Sequence, residues 1–219
     1  MNKPLIIDYY SDVLCVWAWI AQRRNDELHS KLGENIQFRY HYIDVFGNAM
    51  EKIPNQWRDK GGYQGFAQHV IDSGAAYLDT PIHSQVWQKV KPASSASCHL
   101  FLKATAIALG EQASSELALA CRQAFFNDCL DISQLSLLFQ LAEQAGFATS
   151  KIQVALDDGS AMAALMKDYQ SAKTLALKGS PSYIIDNGRQ VLYGNVGYRV
   201  LQANIEEHLK SPTEEASWC

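Results

Sequence analysis

The sequence predicts an α/β protein whose sheet is assembled from the two ends of the chain, with an all-helical block between them. Three observations carry this reading. Near the start, an apolar run from Leu5 to Tyr10, a helical pattern and an alternating run from Ile36 to Tyr42 make a βαβ unit. Near the end, an apolar strand after Pro181, the Asn187-Gly188 turn and a second short strand, Gln190 to Tyr193, make a hairpin. Long helical patterns fill the middle.

In chain order, Leu5 to Tyr10 reads as a short buried strand, with Ser11 and Asp12 as turn or cap residues. Trp17, Ile20, Ala21, Leu28 and Leu32 then share one helical face, and Gly33 suits the C-terminal glycine of that helix. Ile36, Phe38, Tyr40 and Tyr42 alternate with Gln37, Arg39 and His41 as a strand should. From Asp44 to about Pro54 the composition turns irregular. Trp57 to Ser73, with Gly61, Gly62 and Gly65, reads as loop and short helix over the side on which Cys15 lies. Helical patterns follow at Ser97 to Leu109, Ser114 to Phe126, Ser133 to Ala145, Ser150 to Leu156 and Ala161 to Leu177, punctuated by Gly110 and Gly146. A last helix runs from Tyr198 to Leu209, and the residues beyond read as a frayed tail. Neither an internal repeat nor a linker separates independent domains.

Composition agrees with a compact enzyme. The 219 residues, 47% hydrophobic and with a net charge of -4, can bury a substantial core, and no basic surplus points to nucleic acid. The segment Met1 to Asp8 runs into acid too soon for a secretory leader, and no run of about 18 apolar residues could span a bilayer. The expected location is the cytoplasm, with no membrane partner. Five cysteines, at 15, 98, 121, 129 and 219, do not look like a disulfide framework.

Cys15 falls where a strand turns into a helix. Unpaired N–H groups and the positive end of the macrodipole there favour a thiolate, lowering a free-cysteine pKa of about 8.5. Against this stands the packing reading, since free cysteine is usually a small buried hydrophobe. A dithiol centre needs a second sulfur three residues on, and Ala18 occupies that place. Trp17 can offer an apolar face to a thiol ligand, and Trp19 is expected inside the domain.

The second signal is Lys178-Gly179-Ser180-Pro181-Ser182-Tyr183. Pro181 suits the first residue of an edge strand, and a cis Ser180-Pro181 bond would leave the backbone of Ser180 free for an extended peptide or thiol ligand. Other candidates are weaker. Ser94, Ser95, Ser97, Cys98 and His99 precede a helix and read as an N-cap, with a groove opposite Cys15 as the functional alternative. Cys121 and Cys129 read as packing residues, the six histidines show no metal-binding spacing, and no metal is expected. Gly194, Gly197 and Tyr198 make a glycine turn without a phosphate-loop sequel.

Ser11-Asp12-Val13-Leu14-Cys15-Val16-Trp17-Ala18-Trp19, with Gly179-Ser180-Pro181-Ser182-Tyr183 about 165 residues later, resembles the DsbA-like branch of the thioredoxin superfamily. Within it the chain is most similar to FrnE-like oxidoreductases and 2-hydroxychromene-2-carboxylate isomerases, the latter related to kappa-class glutathione transferases. The resemblance implies a thioredoxin fold with an inserted helical subdomain: 1–50 and 165–212 as the thioredoxin-like domain, 51–164 as the insertion, 213–219 as a flexible tail. It matches Cys15 to the attacking cysteine of the redox members, or the serine of the isomerases, and Ala18 to the absent resolving cysteine. Ser180 and Pro181 match the cis-proline pair, and Ser97, Cys98 and His99 a groove. The resemblance to redox members also implies that Val16 and Trp17 set the reactivity of Cys15.

The implied activity is thiol-disulfide exchange through one cysteine in a C-x-x-A motif, with no tightly bound cofactor and glutathione as co-substrate. Partners would be a small thiol or disulfide, or an extended peptide carrying a cysteine; a homodimer is left open. In a sharper variant Cys98 or Cys219 resolves the intermediate. A glutathione-dependent isomerase or transferase, and a non-catalytic peptide binder using the groove beside Pro181, are the alternatives.

Overall fold

A computed structural model of the protein describes residues 3–210. The tail at 213–219, with Cys219, lies outside the described residues. Strand β1 (Leu5–Ser11) leads into α1 (Val16–Leu32) and β2 (Ile36–Tyr42). Seven helices follow: α2 (Ala49–Gln56), α3 (Gly62–Gly74), α4 (Ala96–Leu109), α5 (Glu111–Phe126), α6 (Leu135–Gln144), α7 (Thr149–Asp157) and α8 (Ser160–Thr174). The chain then returns through β3 (Ser182–Ile185), β4 (Gln190–Tyr193) and α9 (Tyr198–Leu209).

The sheet order is β2-β1-β3-β4. β1 pairs parallel to β2, with Leu5 opposite Ile36 and Ser11 opposite Tyr42, and antiparallel to β3, with Tyr9 opposite Tyr183. This is the thioredoxin fold with a helical insertion that the resemblance implies. Because side chains alternate along a strand, Ile7, Tyr9, Tyr183 and Ile185 face one way. They pack with Leu28 of α1 and with Leu201 and Ile205 of α9. Tyr10 and Ile184 face the other way and meet Ile43 and Ala172 of α8. The third cluster is the insertion itself, and it reaches into the segment after β1 through Val13, Leu14, Cys15 and Val16.

Several expectations need correction. The buried side of α1 carries Ala18, Ile20, Ala21, Gln22, Asn25 and Leu28, and Trp17 is only half-buried. That helix is covered from two directions, by the insertion near its start and by α9 near its end, so no single apolar stripe suffices. The irregular stretch from Asp44 to Pro54 contains α2 despite Pro54. Asn48 caps it: its Oδ1 accepts the Glu51 N–H and its side-chain amide donates to the Glu51 carboxylate. The glycine-rich stretch after Trp57 holds a full helix, α3. Gly65 is there for close approach, since a Cβ would lie 1.7 Å from the Lys60 carbonyl oxygen. Ser114 does not start α5, which begins at Glu111; the Ser114 hydroxyl instead donates to the Leu102 carbonyl at 2.8 Å.

Pro181 does not begin an edge strand. β3 is an interior strand, fully buried and paired on both sides. The proline is tolerated because it lies just before the ladder, where its missing N–H costs no bond. The proposed limits at 50 and 164 fall inside α2 and α8, and α8 packs on both α4 and β2, so it bridges insertion and sheet. Among the described residues, no helix is long and apolar enough to cross a membrane.

Candidate active site

The end of β1 and the start of α1 are joined by a tight turn in which the Cys15 N–H bonds the Asp12 carbonyl at 3.1 Å. Cys15 is the N-cap residue of α1, with extended backbone (φ -82, ψ 119). Its thiol lies against the segment leading into β3 and donates to the Ser180 carbonyl oxygen at 3.2 Å. The Ser180-Pro181 peptide is cis. The Asp12 N–H donates to the Ser180 hydroxyl oxygen at 2.9 Å, and the Pro181 carbonyl accepts the Gly194 N–H at 2.8 Å. The two sequence signals, 165 residues apart, are thus in direct contact. The carbonyl of Ser180 accepts the thiol on one of its two lone pairs, so Cys15 and the segment before Pro181 share one face.

The ionisation of Cys15 also departs from expectation. Burial pushes its thiol above the usual value, and the nearby Asp12 charge adds to this. The Ser180 hydroxyl and the Ala18 and Trp17 backbone N–H groups act in the opposite direction but do not outweigh burial. The helix N-terminus therefore favours the thiolate, as anticipated, yet a side chain only 5% exposed loses more solvation than these groups return. Val16 is buried beside it, Ala18 is fully buried, and Trp19 is interior, stacked on Phe126.

Asp12 is more than a turn residue. It is completely buried, and one carboxylate oxygen accepts the Leu14 N–H at 2.9 Å. The other accepts the Phe46 N–H and the Ser95 hydroxyl, both at 2.8 Å. Burial raises its pKa to about 6, against the pull of those hydrogen bonds. Ser95 is consequently a buried donor to the turn that carries Cys15, and it makes no capping bond; Ser94 instead accepts the Ala96 N–H.

His99 is also fully buried and does not line an open groove. Its Nε2 accepts the Val13 N–H at 3.2 Å and its Nδ1 lies 2.9 Å from the Tyr169 hydroxyl. Burial, then the charges of Arg122 and Lys103, hold its pKa well below the usual histidine range. Cys98 is fully buried, and burial and the adjacent Cys121 thiol raise its pKa well above normal. It faces Cys121 across α4 and α5, which removes the solvent-open groove expected of it. Ser97 is half-buried.

Sequence reasoning missed Arg122, Tyr169 and the hub role of Asp12. The Arg122 guanidinium donates to Ser11 at 2.8 Å and to Gln22 at 3.4 Å, tying α5 to the end of β1 and to α1. Among the described residues it has no carboxylate within ion-pair distance. An arginine in a helical pattern reads as a solvated residue, and no local signal marks it as interior. Two clefts, of about 850 and 840 Å³, open elsewhere, one beside Lys3, Arg189 and His208 and one beside Arg23 and Tyr77. Neither is lined by Cys15 or Ser180. Among the described residues, no group of three or more His, Cys, Asp or Glu side chains is arranged to hold a metal ion.

Comparison with solved structures places this geometry among known folds. A protein from Nitrosomonas europaea, provisionally assigned as a protein disulfide isomerase, superimposes with a TM-score of 0.76 at 13% identity over 96% of this chain and 100% of that one. The cytosolic disulfide reductase DsbM from Pseudomonas aeruginosa gives 0.72 at 17% identity, over 94% and 100%. The same reductase with GSH gives 0.67 at 16% identity, over 94% and 100%. A 2-hydroxychromene-2-carboxylate isomerase gives 0.63 at 18% identity, over 97% and 100%. A search of curated proteins finds no match. The profile of the DSBA-like thioredoxin domain matches residues 6–206, a span that holds both Cys15 and the Ser180-Pro181 pair, and the chain belongs to that family.

Proposed function

We propose that the protein is a thiol-disulfide oxidoreductase that works through Cys15 alone and is completed by glutathione. The observation that carries this reading is the contact of the Cys15 thiol with the Ser180 carbonyl. It sets the one sulfur of the turn beside the backbone of a segment that an extended, cysteine-bearing substrate could approach. The GSH-bound structure of the Pseudomonas reductase lends the glutathione half its support.

In the reaction, Cys15 gives up its proton and its sulfur attacks a substrate disulfide. A mixed disulfide forms at Cys15, the substrate S–S bond breaks, and the departing thiolate takes the proton. Ala18 offers no second sulfur. Glutathione thiolate then attacks the substrate sulfur of the mixed disulfide, releasing Cys15 as thiolate and the substrate half as a glutathione disulfide. One disulfide and one thiol enter, and one disulfide and one thiol leave. Because burial keeps the resting sulfur protonated, the deprotonation step is the one that substrate docking has to assist.

The test is turnover of a disulfide reporter with glutathione, together with intact-mass analysis of the quenched protein. A glutathione or substrate adduct confined to Cys15, and no turnover by Cys15→Ser, is the expected result. Undiminished turnover by that variant would overturn the assignment. Glutathione-dependent conversion of an aromatic acceptor without disulfide exchange would favour isomerase or transferase chemistry instead.

A further inference from the structure

Four consecutive residues ahead of the nucleophile, Ser11 to Leu14, make hydrogen bonds through buried polar side chains. Three of these bonds come from the insertion directly, Arg122 to Ser11, Val13 to His99 and Ser95 to Asp12. The second depends on the state of His99. A backbone N–H can only donate, so the Val13 contact requires a lone pair on Nε2. The ring must then carry its proton on Nδ1. Among the described residues the partner of Nδ1 is the Tyr169 hydroxyl, 2.9 Å away, which accepts it. The ring is held flat against Tyr42, with centroids 4.6 Å apart and planes 16° apart, so it cannot turn over and put carbons in place of its two nitrogens without unstacking. With the opposite tautomer, Nε2–H and Val13 N–H would face each other as two donors in a fully buried site, and the nearest carboxylate oxygen, Asp12 Oδ1, lies 3.7 Å from Nε2, beyond hydrogen-bond distance, and already accepts the Leu14 N–H.

We propose that Tyr169 and His99 form a positioning relay for the catalytic turn. The Val13 N–H requires a bare Nε2 on His99, the Tyr169 hydroxyl supports that tautomer by accepting the buried Nδ1–H, and the Nε2 lone pair thereby holds Val13 and the turn that carries Cys15. Neither residue contacts the reacting sulfur; both act through the backbone two residues before it. The relay runs from α8 through α4 to the turn, so the helical insertion takes part in setting the geometry of the nucleophile. This deepens the oxidoreductase reading and rests on it for its catalytic consequence, while the tautomer itself does not.

The experiment uses the full chain in its reduced form. Nitrogen-15 spectra of the histidine side chains are expected to show His99 with a protonated Nδ1 and a bare Nε2. Tyr169→Phe removes the acceptor and leaves the ring in place; it is expected to mix the tautomers. Loosening the turn should expose Cys15, speeding its alkylation by iodoacetamide roughly tenfold, the scale of one lost buried hydrogen bond, while disulfide turnover falls by a similar factor. His99→Gln, whose amide oxygen can still accept from Val13, is expected to restore both rates toward wild type, and His99→Leu is not. A His99 tautomer unchanged in Tyr169→Phe overturns the relay, as does a changed tautomer with both Cys15 rates unaltered. Full turnover by Cys15→Ser would instead overturn the oxidoreductase reading and leave the tautomer and alkylation results standing.

Discussion

The thiol of Cys15 donates to the carbonyl oxygen of Ser180 at 3.2 Å, joining two residues 165 positions apart in the chain. A donating thiol is a protonated one, and burial supports the same state. Alkylation of Cys15 by a small neutral reagent is therefore expected to keep rising with pH beyond the free-thiol midpoint of about 8.5. Mass spectrometry of a pH series measures this, and a plateau already reached at neutral pH would contradict the burial argument.

Ala18 stands three residues after Cys15, where a dithiol centre would carry its second sulfur. It is fully buried in the first turn of α1, with its N–H on the Cys15 carbonyl at 3.1 Å. Ala18→Cys is expected to form a disulfide with Cys15 on oxidation and to make reporter turnover independent of glutathione. Thiol counts before and after oxidation check the first point, since the variant should lose two thiols that the wild type keeps.

His41 ties both layers together on the face of the sheet away from α9. Its Nδ1 lies 2.9 Å from Asp168 and its Nε2 2.8 Å from Asp8, so both ring nitrogens donate and the ring is an imidazolium. Burial alone would lower its pKa, but the two carboxylates raise it; burial would raise those of Asp8 and Asp168, but His41 and its cationic neighbours lower them. A raised histidine pKa contributes stability below its unfolded value of 6.5 and loses it as pH rises through the folded value. The lowered carboxylates contribute above 3.8 and lose it as pH falls. The stability difference between wild type and His41→Gln should therefore be largest between those limits, on the order of 2 kcal/mol, and shrink on either side. Urea unfolding across pH measures it.

Gly65→Ala should destabilise the protein by about 1–3 kcal/mol or more, because the new methyl group meets the Lys60 carbonyl oxygen at 1.7 Å and backbone must move. The urea midpoint should fall while the slope is unchanged. A midpoint equal to wild type would mean that the segment from Trp57 to Gly65 yields easily.

Much of the architecture is legible in local patterns. Tyr198 to Leu209 is a helix with the anticipated bounds, and Ile36 to Tyr42 alternates as a strand because one face is buried. Of the site, Cys15, Ser180 and Pro181 stand out because a helix start and a proline before a strand are short-range signals. Asp12 carries a local signal of its own, since an Asp can bond the N–H two residues on, as it bonds that of Leu14 here. Tyr169 and Arg122 gave no such signal: each sits in an ordinary helical pattern and acquires its role from a partner 70 or more positions away.

By itself the sequence determined the order of the strands and of the helices outside the stretch from Asp44 to Ser73, the family resemblance and the identity of the one sulfur in the turn, because periodicity, capping and motif spacing act within a few residues. Only the tertiary structure decided that β3 is interior, that His99 is an acceptor inside the core, and that Cys15 rests as a thiol. Those outcomes depend on desolvation, and desolvation is a sum over every element packed around a group. For Cys15 the helix terminus and the burial push in opposite directions, and which prevails is settled by segments that the chain brings together from its two ends and its middle.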